Sequence, residues 1–362
     1  MARAPAREEA FPDDFDAIDG LASPAAQIHL VGQSAAERTL LDAYRSGRLH
    51  HGWILGGPRG VGKATLAFRF ARFLLANPDP NAPTVAAARD LSVPAGHPAG
   101  RLVASGAHPD LLHLRRPWDD KGKRFRSELT VDEVRRLTPF FGSTASGGGW
   151  RVAIVDPADD LNTNAANALL KMLEEPPARG LFLIVSHAPG RLLPTIRSRA
   201  RRLALAPLGE ADLLAALQAI GVTAERTRLL RAAAAGEGSV RRAAQLATGG
   251  AVEIEDLVKP VIASLGRDLD RRALHALADA LAQRDAEDAF DHALGLVQSY
   301  ISDKVRAGSA AGEPLAKLAA WPEVWEKIDR AVGRAEAFNL DRRQLVLGIF
   351  RDLAEAERRA RA

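Results

Sequence analysis

Fully apolar runs alternate with amphipathic stretches through the first two hundred residues, and this alternation predicts a layered α/β fold. Trp53-Ile54-Leu55, Val152 to Val155 and Leu181 to Val185 carry no polar alternation. Strands of that kind belong in a parallel sheet covered by helices on both faces. Asp110 to Leu114 reads as a further buried strand and Leu203 to Ala206 as a short last one. Between them fall helical periods. Leu40, Leu41 and Tyr44 share a face over Ala36 to Tyr44, a helix starts at Lys63, and another runs from Asn164 to Glu175 before Pro176-Pro177 ends it. Thr130 and Glu133 form a T-x-x-E box that opens a helix through Val134, Leu137 and Phe140.

From Pro207 the pattern becomes helical throughout. Asp212 to Ile220, Arg226 to Ala235 and a segment opening at Gly238-Ser239-Val240 predict a small lid over 207–248, and Gly249-Gly250 reads as a linker. Three apolar stripes then predict an all-α domain over 249–362: Leu257 to Leu265, Phe290 to Val305 and Trp321 to Val332. Asp341 and Gln344 box the start of a last helix. Residues 1–24 read as a flexible arm, and 77–107, rich in Pro, Ala and Gly, as a surface insertion without a period.

A chain of 362 residues is too long for one ordinary core, in line with several domains. Its 49 basic against 45 acidic residues leave a net charge of +4, which permits nucleic-acid contact without indicating it. The absence of cysteine excludes disulfides, thiolate metal sites and a cysteine nucleophile, and fits a reducing cytoplasm. No apolar signal core follows Met1 and no run approaches ~18 apolar residues, so neither secretion nor a membrane partner is expected.

The candidate chemistry centres on His51 to Leu75, a strand, a glycine-rich turn and a helix. In Gly57-Pro58-Arg59-Gly60-Val61-Gly62-Lys63 the glycines permit positive φ, and the amides form an anion nest at a helix N-terminus. Lys63 would sit over the outer phosphates. The pattern GxxxxGK-[ST] fails at Ala64, where a magnesium-holding hydroxyl is missing. Thr65 is no simple substitute, because one helical step turns a side chain by roughly 100°. Asp156, at the tip of the Arg151–Val155 run, fits the second nucleotide motif, but Pro157 follows where a water-orienting Glu is needed. Asp159 and Asp160 read as capping carboxylates. Ser186, at the end of the Leu181 run, reads as a γ-phosphate sensor or as a turn residue. The basic run Lys121, Lys123, Arg124, Arg126 reads as a phosphate contact or, preferably, as a solvated loop.

The words NALLKMLEEPP (Asn167 to Pro177) and LLPTIRSRA (Leu192 to Ala200) follow the glycine-rich loop in an order and spacing that resemble the clamp-loader branch of the AAA+ family. The resemblance covers roughly Ile28 to Leu246. It implies an AAA+ sheet, a helical lid and a C-terminal collar that holds subunits in a hetero-oligomeric ring, acting on a sliding clamp and primed DNA. In that family Ser-Arg-Cys carries an arginine finger. Here Ser198-Arg199-Ala200 keeps the Arg, so the resemblance makes Arg199 the catalytic residue, acting in a neighbour's ATP site. It also makes Arg241 a nucleotide sensor, with Arg242 a close rival. The zinc module of many members needs cysteines that this chain lacks, so no zinc is expected. Losing the hydroxyl at Ala64 and the acid at Pro157 weakens the case for ATP and for magnesium while leaving the phosphate cradle. The expectation is therefore a subunit that assists hydrolysis elsewhere. The alternative is an active ATPase using Lys63, Thr65, Asp156 and Asp159.

Overall fold

The computed structural model describes residues 17–18, 20–119, 124–142, 149–248, 251–266, 268–283, 286–338 and 340–361. The contacts divide the chain into two compact units: Met1–Thr223 with Ala233–Ala244, and Ala224–Ala232 with Gln245–Ala362. The expected linker at Gly249-Gly250 and the basic residues Lys121 and Lys123 lie outside the described residues.

The first unit is built as the apolar runs require. In chain order it holds α1 (Ser34–Arg45), β1 (Gly52–Gly56), α2 (Lys63–Ala76), α3 (Pro83–Ala87), α4 (Pro98–Ala104) and β2 (Leu111–Leu114). There follow a two-stranded ribbon of β3 (Trp118–Asp119) and β4 (Arg124–Phe125), then α5 (Val131–Arg135), α6 (Leu137–Gly142), β5 (Arg151–Val155) and α7 (Thr163–Glu174). β6 (Gly180–Ser186), α8 (Pro194–Ser198), β7 (Arg201–Ala204) and α9 (Glu210–Ala219) complete the run; α10 (Arg226–Ala235), most of which belongs to the second unit, and α11 (Val240–Thr248), divided between the two, come next. Five strands form one parallel sheet in the order β2-β5-β6-β1-β7. Every residue of β1 and β6 is buried, because helices cover both faces. β7 is the exposed edge. On one face Ile54, Leu114, Val155, Leu169, Leu173, Phe182 and Ile184 share a core.

Four expectations change on contact with the structure. The 77–107 segment, though largely exposed, has buried anchors: Val85, Leu91 and Val103 are buried, and Arg45 donates to the carbonyls of Val85 and Ala88. These small apolar residues are too widely spaced to show a period. The end of the supposed arm is also placed, since Ala17, Ile18, Leu21 and Pro24 line a cavity described below. Thr130 makes no side-chain cap and Glu133 pairs with Arg136 instead, at 2.6 Å, so the box does not close. Finally, Asn162, not an aspartate, caps α7 by accepting from the Ala165 amide at 3.0 Å.

The second unit is helical: α12 (Ala251–Ser264), α13 (Arg271–Leu281), α14 (Glu287–Ala310), α15 (Leu315–Leu318), α16 (Ala320–Phe338) and α17 (Arg342–Arg361). The three apolar stripes meet in one core with Val346, Ile349, Phe350 and Leu353. Asp341 caps α17 by accepting from the Gln344 amide at 3.1 Å. No helix among the described residues is long and apolar enough to cross a membrane.

Candidate functional site

Parallel strands deliver their C-terminal ends to one edge of the sheet, and α/β ligand sites form there at the point where strand order reverses. Four strand ends meet at that edge. Gly57 follows β1, Asp156 follows β5, Ser186 ends β6, and Leu205 follows β7, donating its amide to Gly56 at 2.7 Å.

The loop geometry explains its glycines. Gly57, Gly60 and Gly62 have φ of 151°, 81° and 96°. A Cβ on Gly57 would lie 2.3 Å from the Leu205 carbonyl oxygen, and one on Gly60 would lie 2.1 Å from Ser239 Oγ. The Gly60 carbonyl accepts from the Val240 amide at 2.9 Å, so the first turn of α11 closes directly on the loop. Buried Gln33 donates to the Val61 carbonyl at 3.1 Å and to Ala206 at 2.8 Å, tying the loop to the end of the β7 segment. Periodicity gave no sign of that staple, since a lone Gln before a helix carries no pattern.

Lys63 folds back on its own loop. Its Nζ donates to the carbonyls of Gly57 at 2.7 Å and Pro58 at 2.5 Å, and the residue is 3% exposed. Burial pushes its pKa down to about 8, against the opposing charges of Asp156 and Asp159 and with help from Arg59. A cavity of about 250 Å³ opens beside it, lined by Arg59, Gly60 to Thr65, Asp156, His187 and Arg241 at its polar end. Ile18, Leu21, Ile220 and Val240 line its apolar end. That volume is below the ~300–1,000 Å³ of ordinary ligand pockets.

The other candidates separate clearly. Both Ala64 and Thr65 line the cavity, and Asp156 Oδ2 lies 3.8 Å from His113 Nε2. Ser186 is fully buried and donates its hydroxyl to Asp159 Oδ1 at 3.0 Å. Asp159 also accepts from the amides of His187 at 2.7 Å and Ala188 at 3.0 Å, so it clasps the turn after β6 and does not cap a helix. Asp160 pairs with Arg116 at 2.5 Å. It is His187, missed in the sequence, that reaches the cavity. Its buried Nδ1 has no hydrogen-bond partner, and burial, then Lys63, lower its pKa. Arg241 faces the cavity whereas Arg242 pairs with Glu237 at 2.7 Å. Among the described residues no group of three or more His, Asp or Glu side chains is placed to hold a metal ion.

Arg199 sits elsewhere. It directly follows α8, and a Cβ on Gly52 would lie 3.4 Å from its carbonyl oxygen, which places it at the start of β1. The loop leaves the other end of that five-residue strand, about 13 Å away at ~3.3 Å per residue. The Arg199 side chain is 37% exposed, and its guanidinium pairs with Glu174 Oε1 at 2.9 Å.

This sheet order, with a glycine-rich loop after β1 and a helix N-terminus closed on it, defines a phosphate-loop domain of the AAA+ class. Residues 32–209 match the sequence family described as DNA polymerase III, delta subunit. The delta-prime subunit of DNA polymerase III from Pseudomonas aeruginosa is 40% identical over 149 residues, 41% of this chain and 41% of that one. The Escherichia coli delta-prime subunit is 37% identical over 169 residues, 46% of each chain. A DNA polymerase III gamma/tau subunit from Mycobacterium bovis is 33% identical over 178 residues, 49% of this chain and 28% of that one. Over this region the chain is similar to delta-prime and gamma/tau subunits of DNA polymerase III. It aligns with less than half the length of these relatives.

Proposed function

We propose that the chain is a non-motor clamp-loader subunit of the DNA polymerase III holoenzyme, which lends Arg199 to the ATP site of a neighbouring subunit. Sliding clamp and primed DNA would be met through the assembled ring. The observation that carries the reading is the position of Arg199 at the opposite end of β1 from Lys63. A guanidinium there cannot serve its own loop, so any triphosphate it touches belongs to another protomer. Its planar fork suits the charge that spreads over γ-phosphate oxygens during transfer.

The chain's own loop fits phosphate better than it fits catalysis. The amides of Gly60 to Lys63 and the Lys63 ammonium would hold an anion, with Arg241 and His187 alongside. Magnesium finds no hydroxyl at Ala64, and the buried Ser186 hydroxyl is given to Asp159. Asp159, which follows the second nucleotide motif, has both oxygens engaged by three donors. The ammonium must leave two carbonyls before it can meet a phosphate.

Reconstituted with the other loader subunits, Arg199→Ala should lower DNA-stimulated ATP turnover at the neighbouring site by ~10³ or more, with assembly intact on gel filtration. Unchanged turnover would remove the finger role. In the isolated chain, ATP turnover that disappears in Lys63→Ala would replace the scaffold reading by that of an active ATPase.

A further inference from the structure

The finger is not free to act in the conformation the fold gives it. Arg199 NH2 pairs with Glu174 Oε1 at 2.9 Å, while NH1 donates to the Thr195 carbonyl at 3.2 Å and reaches Ser198 Oγ at 3.4 Å. Both terminal nitrogens, the edge that would grip a phosphate bidentately, are thus taken within the chain. Glu174 is the last residue of α7 and Arg199 directly follows α8, and α7 and α8 are packed neighbours. The two groups meet because two helices end side by side, with Pro176 and Pro177 stopping one and the turn into β7 stopping the other.

We propose that Glu174 is a latch that parks the arginine finger until a neighbour's triphosphate outcompetes it. Both side chains are about two-fifths exposed, at 37% and 43%, so water screens the pair and keeps it weak. Weakness is what a latch of this kind requires. A buried pair would not release, whereas a solvated one yields to a triphosphate that carries more charge than one carboxylate and offers oxygens on two sides. Glu174 touches no reacting atom in this scheme, and its role is to position Arg199. The sequence offers Glu174-Glu175 as two equivalent acids, and only the fold selects the first.

The inference rests on the finger reading, and one set of variants separates the two. In the reconstituted loader, Glu174→Gln keeps the size of the side chain and removes its charge. It should raise DNA-free ATP turnover by roughly two- to fivefold, the range of a surface ion pair, with KM for ATP unchanged. Glu174→Asp should return the rate toward that of the parent, and Glu174→Lys should exceed the glutamine variant. In Glu174→Gln combined with Arg199→Ala the rise should vanish. If Arg199→Ala alone changes nothing, the finger itself is refuted. If Arg199→Ala lowers turnover but Glu174→Gln leaves the DNA-free rate unchanged or lowers it, the finger stands and the latch is refuted.

Discussion

The carbonyl of Gly60 accepts a hydrogen bond from the amide of Val240 at 2.9 Å, across 180 residues of chain. Gly60 belongs to the phosphate loop and Val240 opens α11, so the mouth of the site and its cover are fastened to each other through backbone atoms. Arg241, one residue on, is carried to the cavity by that bond, and Arg242 is turned away to Glu237.

That fastening leaves no room for a side chain at position 60. A Cβ would lie 2.1 Å from Ser239 Oγ and 2.7 Å from Arg241 Cβ, at a φ of 81°. Gly60→Ala should destabilise the first unit by roughly 1–3 kcal/mol. Hydrogen exchange should quicken first in the opening turns of α2 and α11; unchanged protection there would contradict the contact.

Lys63 imposes a pH dependence. With a pKa near 8 in the folded chain and 10.5 as its ordinary value, it gives up its proton earlier when folded than when unfolded. The unfolded chain therefore binds more protons between those limits, and stability rises with pH across that window. Below pH 8 the buried charge costs the fold about 3 kcal/mol, at 1.36 kcal/mol per pH unit. Lys63→Met should remove the rise, seen as a flatter dependence of urea-unfolding stability from pH 8 to 10 than in the parent. Parallel profiles would show that Lys63 keeps its ordinary basicity.

Arg69 and Glu37 pair at 2.8 Å with side chains only 7% and 8% exposed, joining α2 to α1 directly behind the loop. Glu37→Ala leaves a buried guanidinium without its carboxylate, which should cost ~3–5 kcal/mol, whereas Glu37→Leu with Arg69→Met should be close to neutral. A double variant as unstable as the single one would show that the charge itself is required.

In the second unit Glu357, 3% exposed, accepts from Tyr300 at 2.7 Å, Lys304 at 2.9 Å and Arg361 at 3.1 Å. Burial alone would raise its pKa, but the hydrogen bonds from Lys304 and Tyr300 outweigh it and hold the carboxyl below its usual range. The stabilisation is present above the unfolded value of 4.5 and is lost as pH falls through the lower folded value. Glu357→Gln should weaken this unit at pH 7 and flatten its acid limb. Far-ultraviolet circular dichroism from pH 7 to pH 2 would detect both, and an unaltered acid limb would assign the loss to other carboxylates.

The strands, the phosphate loop and most helices were legible because each rests on local pattern. Apolar runs such as Leu181 to Val185 can only be buried, and Gly57, Gly60 and Gly62 announce a backbone that no other residue tolerates. Arg199 was singled out by the words around it and not by any local pattern. The packed helices within 77–107 were not legible, since Val85, Leu91 and Val103 are single apolar residues whose burial is decided by α2 and Arg45. Nor was the choice between Arg241 and Arg242, which depends on how α11 is turned against the loop.

The sequence by itself determined that a glycine loop follows a buried strand, that Ala64 stands where the loop pattern has a hydroxyl residue, that Pro157 follows Asp156, and that an arginine stands at position 199. Tertiary structure decided the partners: Lys63 on Gly57 and Pro58, Asp159 on the turn after β6, and Glu174 on Arg199. Backbone freedom and side-chain chemistry are properties of a residue, written where it stands. A hydrogen bond between distant residues depends on which strand ends and helix ends share an edge, and the parallel sheet sets that only once it is assembled.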